Sequence, residues 1–208
     1  MVDYSLYLCS ESSINKKYEI EECVRQAILG GVTIVQVREK AKTFKDFYNI
    51  AEKIKKVTDD FNIPLIINDN IEVALKLNAS GVHIGQKDVS CSKARKILGN
   101  EKIIGVTVTT LRQAKKAIKQ GANYLGVGAV YKSTTKMDAT IVESEEMLKI
   151  LNYSTIPIVV IGGINEKTIP NFKGKNISGY AMIRPILASN DITGKVRKLR
   201  KIIESNNI

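Results

Sequence analysis

Three polar side chains alternate along the segment that runs from residue 34 to residue 40. Gln36, Arg38 and Lys40 follow the apolar residues Ile34 and Val35 at every second position. In a strand these three side chains would share one face, because side chains alternate with period two. Burying an arginine and a lysine without partners is costly. The pattern therefore predicts either a strand whose carboxyl end opens into an anion site or a strand that runs out into solvent.

Two carboxylates follow later apolar segments in the same way. Asn68 and Asp69 follow one apolar run, and Asp88 follows the next. A small number of carboxylate ligands suits Mg²⁺, which completes its octahedron with water and substrate phosphate. The alternative is that Asn68 and Asp69 cap the helix after them, and that Asp88 caps a helix beginning near Ser90.

Other polar residues could bind phosphate groups. Arg38, Lys40 and Lys136 would supply positive charge. The loop before Lys136 adds the hydroxyl donors of Ser133, Thr134 and Thr135. Gly162-Gly163, followed by a short helix, fits a phosphate site, although a tight turn is the alternative. Two anion sites would indicate two phosphorylated substrates.

A repeating scaffold must position these residues. Apolar runs rich in Val, Ile and Leu alternate with amphipathic segments eight times in 208 residues. Such strands are typical of a parallel sheet covered by helices. The pattern predicts an α/β fold, a single-domain (β/α)8 TIM barrel over residues 1–208, in which function collects at the carboxyl ends of the strands. A doubly wound open sheet is the alternative, but residues 9–13 lack its usual glycine-rich turn.

The apolar periodicity also predicts where the elements lie. Strands are expected at 6–8, 34–38, 65–67, 81–84, 103–108, 124–128, 158–161 and 180–183. Helices are expected at 21–29, 47–57, 73–77, 90–98, 110–118, 145–151, 168–172 and 193–204. Thr43, Ser90 and Thr110 are the predicted N-caps.

Composition excludes several classes of protein. The net charge of +11 raises nucleic acid as a partner, but the lysines are dispersed and not interleaved with aromatic residues. We therefore expect no specific nucleic acid as partner, and a positive field that favours small phosphorylated molecules. No apolar run could cross a membrane and the first residues lack a signal peptide, so a cytoplasmic protein is expected. The three scattered cysteines indicate no disulfide framework. A role for Cys9 and a homo-oligomer are both left open.

Seven segments together resemble thiamine phosphate synthase, also called thiamine-phosphate pyrophosphorylase, in order and spacing. They are Gln36-Val37-Arg38-Glu39-Lys40, Ile67-Asn68-Asp69, Gly81 to Gln86 with Asp88, Gly105-Val106-Thr107, Gly126-Val127-Gly128, Thr135-Lys136 with Asp138-Ala139, and Ile161-Gly162-Gly163-Ile164. The resemblance implies a transferase of thiamine biosynthesis that joins hydroxymethylpyrimidine pyrophosphate to thiazole phosphate. Mg²⁺ would hold the leaving pyrophosphate, and the thiazole nitrogen would attack a carbocation-like methylene.

The resemblance also implies roles for individual residues. The pyrimidine pyrophosphate would be bound by Gln36, Arg38, Lys40, Asn68, Thr107 and Lys136, of which Lys136, Arg38 and Thr107 would be catalytic. Asp69 and Asp88 would hold the metal. The thiazole phosphate would be bound by Ser133, Thr134, Thr135, Gly163, Ile183 and Arg184. His83 lies before the end of its strand and is interpreted as structural.

Several positions depart from the family pattern. Thr107 stands where serine is usual, which keeps the hydroxyl. Ser133-Thr134 replaces a Thr-Pro pair, and the segment 140–144 lacks the usual Pro-Pro and Gly. Arg184-Pro185 follows Ile183 where a serine is common, so Arg184 would either bind the thiazole phosphate or fill its site.

Three other functions are alternatives to the synthase. One is a thiazole tautomerase of the same superfamily, which needs no metal. Another is a degenerate synthase that binds substrate but turns over poorly because of Arg184. The third is a basic barrel that binds RNA or acts as a regulator.

Overall fold

Eight parallel strands close into a barrel. A computed structural model of the chain describes residues 2–39, 42–132 and 140–206. The strands pair in sequence order, and the last pairs with the first. The predicted (β/α)8 barrel is therefore confirmed. The strands are β1 (Leu6–Ser10), β2 (Ile34–Val37), β3 (Leu65–Asn68), β4 (Gly81–Ile84), β5 (Ile103–Val108), β6 (Tyr124–Val127), β7 (Ile158–Ile161) and β8 (Gly179–Met182).

Helices connect successive strands around the outside. They are α1 (Ile20–Gly30), α2 (Phe44–Asp60), α3 (Ile71–Lys76), α4 (Cys91–Leu98), α5 (Leu111–Lys119), α6 (Ser144–Tyr153), α7 (Arg184–Leu187) and α8 (Ile192–Asn206). Between β7 and β8 the helical segment is a single 3₁₀ turn, Ile169–Phe172. Within the described ranges, no helix is both long and apolar enough to span a membrane.

The three predicted N-caps are confirmed. The side chain of Thr43 accepts a hydrogen bond from the Asp46 amide at the start of α2. Ser90 and Thr110 begin α4 and α5 in the same way, with their side chains accepting from amides three residues later. Each cap satisfies an amide that the helix leaves unpaired, which stabilises a helix by about 1 kcal/mol.

The short helix α7 was not predicted. Its four residues are too few to produce a helical apolar repeat, so periodicity could not reveal it. Pro185 lies in its first turn, where a missing amide hydrogen needs no acceptor.

Alternation along the strands separates two apolar layers. Outward side chains such as Leu8 and Val35 pack beneath the helices, whereas Tyr7 and Ile34 pack inside the barrel. Gln36 lies two residues after Ile34 and therefore faces the interior as well. The polar face of β2 thus turns toward the carboxyl end of the barrel interior, which we call the barrel mouth.

Candidate functional site

Gln36 and Arg38 lie at the carboxyl end of β2 and are largely buried. Gln36 is 5% exposed, and its Nε2 donates to the Tyr7 hydroxyl at 2.9 Å. The Arg38 side chain is 11% exposed, with Nη1 3.2 Å from a carboxylate oxygen of Glu11. The alternative of a strand running out into solvent is therefore wrong. Lys40, the third residue of the alternating set, lies outside the described residues.

The loop after β1 is fastened to the end of β2 by two successive pairs. Glu11 pairs with Arg38, and the amide and hydroxyl of Ser12 donate to the Glu39 carboxylate at 2.9 and 2.7 Å. Glu39 is 6% exposed. Burial raises the pKa of Glu39, and the hydrogen bonds from Ser12 oppose that shift. Sequence reasoning missed Glu11 and Glu39 as site residues, because no local pattern pairs the loop after β1 with the residues that follow β2.

Asn68 and Asp69 do not cap the helix that follows. Asn70 caps α3 by accepting from the Val73 amide. Asn68 instead donates from Nδ2 to an Asp69 carboxylate oxygen at 2.6 Å. Asp69 has a φ of 61°, a left-handed conformation that aspartate tolerates better than most residues, and its amide donates to the His83 carbonyl. The capping interpretation of Asn68 and Asp69 is therefore wrong.

Asp88 lies in the loop after β4 and does not cap a helix either. One of its carboxylate oxygens accepts from the Gly85 amide at 2.7 Å, while Ser90 caps α4. In the same loop, Nε2 of Gln86 donates to the Thr107 carbonyl at 2.7 Å. The carboxylates of Asp69 and Asp88 thus follow two neighbouring strands at one end of the barrel.

Thr107 is joined to Gln36 through the barrel interior. His83 lies 2.7 Å from the Thr107 hydroxyl through Nε2 and 2.8 Å from the Tyr124 hydroxyl through Nδ1. The Tyr124 hydroxyl lies 2.8 Å from that of Tyr7, which contacts Gln36. We call these five residues the interior network. The occupied ring nitrogens agree with a structural interpretation of His83.

Burial changes the ionisation of the groups in this interior. Desolvation lowers the pKa of His83 to about 4, although the Asp88 carboxylate opposes the shift, so the ring is neutral near pH 7. Desolvation raises the pKa values of Tyr7 and Tyr124 well above the ordinary range. Cys9, 1% exposed, has its pKa raised to about 12 by burial despite the nearby Arg38. Cys9 is therefore a thiol at neutral pH and a poor nucleophile.

Two glycines make room for the rings of the interior network. A Cβ added at Gly105 would overlap the Tyr124 ring, and one at Gly126 would lie 2.8 Å from Cε1 of His83. Glycine weakens a strand interior, so its presence signals a close approach. Sequence reasoning missed Tyr7 and Tyr124, and glycines on β5 and β6 were the signal that could have indicated large inward rings.

Gly162 and Gly163 hold the beginning of the loop after β6 against the end of β7. Their φ values are 98° and 66°, and a Cβ added at Gly163 would lie 2.6 Å from Cβ of Tyr131. The Tyr131 amide donates to the Gly162 carbonyl at 3.0 Å. The four predicted residues of that loop lie outside the described residues; they are Ser133, Thr134, Thr135 and Lys136.

Ile183 and Arg184 join β8 to α7 beside the end of β7. Ile183 is partly buried, and Arg184 is an exposed residue at the start of α7. The Arg184 guanidinium makes no hydrogen bond or ion pair with the part of the chain that the structure describes. The structure thus places Gly163, Ile183 and Arg184 at the barrel mouth, across from Arg38 and Asp69.

Comparisons with known proteins agree over nearly the whole chain. The family model for thiamine monophosphate synthase matches residues 6–186. A thiamine-phosphate synthase of Clostridium beijerinckii is 46% identical over 199 residues, covering 96% of this chain and 95% of that protein. One of Clostridium tetani is 47% identical over 191 residues, covering 92% and 91%.

Solved structures with the same barrel fold include one thiamine phosphate pyrophosphorylase and one other enzyme. Thiamine phosphate pyrophosphorylase from Pyrococcus furiosus aligns with a TM-score of 0.89 at 30% identity, covering 100% of this chain and 98% of the other. A 3-keto-L-gulonate-6-phosphate decarboxylase from Vibrio cholerae aligns with a TM-score of 0.71 at 13% identity, covering 97% and 98%, a likeness of fold alone. The chain belongs to the thiamine monophosphate synthase family.

Proposed function

We propose that this chain catalyses the thiamine-phosphate synthase reaction, in which hydroxymethylpyrimidine pyrophosphate and thiazole phosphate give thiamine phosphate and pyrophosphate. The observation that carries the proposal is the grouping at one barrel mouth of Arg38, Asp69, Asp88 and Thr107, in a chain of this family. The substrates would be small phosphorylated molecules, and the reaction would take place in the cytoplasm.

The carboxylates at the ends of β3 and β4 fit Mg²⁺. Asn68 holds one oxygen of Asp69, and the Gly85 amide holds one oxygen of Asp88, so both groups are oriented at the mouth. Within the described ranges, no group of three or more His, Cys, Asp or Glu residues could hold a metal ion. Two carboxylates suit an ion that takes its other ligands from water and substrate phosphate. When bound there, Mg²⁺ would neutralise charge on the pyrophosphate leaving group.

The pyrimidine substrate would lie between β2 and β5. Gln36 and Thr107 would contact the ring, and Arg38 and Asn68 would contact the pyrophosphate. Arg38 is held by Glu11 through one guanidinium nitrogen, which leaves the other donors of its fork for phosphate oxygens. Lys40 and Lys136, which lie outside the described residues, would add two further cations.

The chemistry needs charge neutralisation and not a general base. In a dissociative step the bond to the pyrophosphate breaks before the thiazole nitrogen attacks, so negative charge grows on the leaving group. Arg38 and Lys136 would stabilise that charge, and the Thr107 hydroxyl would orient the pyrimidine. His83 is neutral and has both ring nitrogens in hydrogen bonds, so it is not needed as an acid.

The thiazole phosphate would lie at the ends of β7 and β8. The Gly163 amide, just after β7, has no acceptor in the part of the chain that the structure describes. Pro185 has no amide hydrogen to donate to a phosphate. The Arg184 guanidinium would supply positive charge in place of that donor. Ile183, Ser133, Thr134 and Thr135 would complete this half of the site.

A pair of matched substitutions tests the metal site. Asp69→Asn should lower the rate of thiamine phosphate formation at saturating Mg²⁺ by about 100-fold or more, because one of two carboxylate ligands is lost. The matched control is Asp60→Asn, at the end of α2, where the side chain is 62% exposed and, among the residues that the structure describes, pairs only with Arg25. The control should keep its rate within about twofold. Equal rates for both variants would exclude Asp69 as a ligand.

A further inference from the structure

We propose that the interior network fixes the hydrogen-bonding polarity of the pyrimidine site, and that Tyr7, Tyr124 and His83 are positioning residues for Gln36 and Thr107. The inference deepens the proposed function, since it rests on Gln36 and Thr107 facing the pyrimidine. None of the three positioning residues needs to contact the substrate to act.

The polarity follows from counting hydrogens along the network. The Gln36 amide donates from Nε2 to the Tyr7 oxygen, so the single Tyr7 hydrogen is left to donate to Tyr124. If Tyr124 donated to Tyr7 instead, the Tyr7 hydrogen would be buried without an acceptor in the described part of the chain, which is unfavourable. Tyr7 and Tyr124 are each 1% exposed, so water cannot replace that acceptor.

The remaining hydrogens are then determined. Tyr124 donates to Nδ1 of His83, which must therefore be unprotonated. The ring of a neutral histidine carries its hydrogen on the other nitrogen, so Nε2 donates to the Thr107 oxygen. The Thr107 hydrogen is left to point into the site. One of the two Nε2 hydrogens of Gln36 is committed to Tyr7, and this bond fixes the orientation of the amide, so the Gln36 carbonyl oxygen is held as an acceptor for a ligand.

The consequence is a site with one fixed acceptor and one fixed donor. It would take a ligand edge that offers a donor to Gln36 and an acceptor to Thr107, as the amino group and a ring nitrogen of an aminopyrimidine do. An analogue in which a carbonyl replaces the amino group would meet the Gln36 oxygen with a second acceptor. The network thus contributes to substrate choice by repulsion as well as by attraction.

The surroundings of the network hold it in this geometry. The ring centroids of Tyr7 and His83 lie 6.0 and 5.5 Å from that of Tyr124. Gly105 and Gly126 leave no spare volume beside Tyr124 and His83. The rings can therefore neither rotate away nor exchange partners without displacing a strand.

The test is Tyr124→Phe, which keeps the ring and removes the hydroxyl that joins Tyr7 to His83. We expect kcat/KM for the pyrimidine substrate to fall by about 10-fold or more, because a buried partner is left unsatisfied. The KM for the thiazole substrate should change by less than about twofold. In a Thr107→Val background, the same change should cost less than it does in the unaltered protein, since the branch of the network that ends at Thr107 is already broken and only the branch that ends at Gln36 remains.

Tyr4→Phe is the matched control. Tyr4 is 7% exposed and its ring centroid lies 4.9 Å from that of Tyr124, but its hydroxyl makes no hydrogen bond within the described residues. The control should keep both KM values. Equal losses in Tyr4→Phe and Tyr124→Phe, or effects of Tyr124→Phe and Thr107→Val that multiply, would overturn the proposal.

A second measurement does not depend on activity. His83 is the single histidine of the chain, so histidine labelled with ¹⁵N gives one pair of ring signals. The proposal predicts the hydrogen on Nε2 at pH 7.5, and a hydrogen on Nδ1 would overturn it. If the unaltered protein fails to release pyrophosphate while the hydrogen is on Nε2, the proposed function fails and the polarity of the network stands.

Discussion

Gly126→Ala would insert one methyl group beside the His83 ring. The added Cβ would lie 2.8 Å from Cε1 and 3.3 Å from Nε2 of His83. Carbon atoms pack at about 3.5–4.0 Å, so the ring would have to move by about 0.7 Å or more. The hydrogen bond from Nε2 to Thr107 is 2.7 Å long and would be stretched beyond its normal range by such a shift.

The expected cost is the sum of two unfavourable effects and one smaller favourable effect. Overpacking a tight interior costs about 1–3 kcal/mol, and a lost buried hydrogen bond adds about 1 kcal/mol. Replacing glycine by alanine in a strand returns about 0.5–1 kcal/mol of backbone entropy. We therefore expect the free energy of unfolding to fall by about 1–3.5 kcal/mol. The KM for the pyrimidine substrate should rise, because Thr107 loses its partner.

Equilibrium urea unfolding, followed by far-ultraviolet circular dichroism, measures the change in the free energy of unfolding. Gly99→Ala is the control: Gly99 has a φ of 74°, and no atom of the described residues lies within 4 Å of an added Cβ. It should lose about 1–3 kcal/mol of stability, because its positive φ with a ψ of −174° suits glycine alone, and it should keep its KM. If Gly126→Ala keeps the stability and KM of the unaltered protein, the account of a tightly filled interior is refuted.

Three further predictions concern single groups. At pH 8 a thiol reagent should leave Cys9 unlabelled in the folded protein and label it in urea, because its pKa is raised to about 12. Burial raises the pKa of Glu39 above its ordinary 4.5, so its contribution to stability is greatest below that value and is lost as the pH rises through the folded pKa. In urea unfolding, the destabilisation by Glu39→Gln should therefore be larger at pH 4 than at pH 7.5, and an equal or reversed difference would contradict this. Thr110→Ala should lower the free energy of unfolding by about 1 kcal/mol through loss of the cap on α5, which urea unfolding also measures.

Local sequence patterns predicted the strands, the longer helices and three caps, because each depends on residues close together in the chain. The helix α7 was not predicted, since a segment of four residues is too short to show the helical repeat of apolar residues. Asn68 and Asp69 could be read as a cap until the structure placed Asn70 in that role. Whether Asn68 and Asp69 belong to the site or cap α3 thus depended on where the helix begins to within one or two residues. Apolar periodicity does not fix a helix start that closely.

The interior network could not be predicted from local patterns. Tyr7 and Tyr124 are 117 residues apart, and their contact depends on how the barrel closes. In the sequence each is one aromatic residue in an apolar run. The salt bridge between Glu11 and Arg38 is similar, because it joins a loop and a strand that become neighbours only when β1 and β2 pair. Contacts between residues that approach each other across a barrel can be predicted only when the register of its strands is known.

The most direct measurement of the central claim is pyrophosphate release by the unaltered protein, with each substrate alone and with both, before and after removal of Mg²⁺ by a chelator. The account predicts formation of thiamine phosphate and stoichiometric pyrophosphate only when the pyrimidine pyrophosphate, the thiazole phosphate and Mg²⁺ are all present. Isomerisation of the thiazole phosphate without metal, with no release of pyrophosphate, would contradict it.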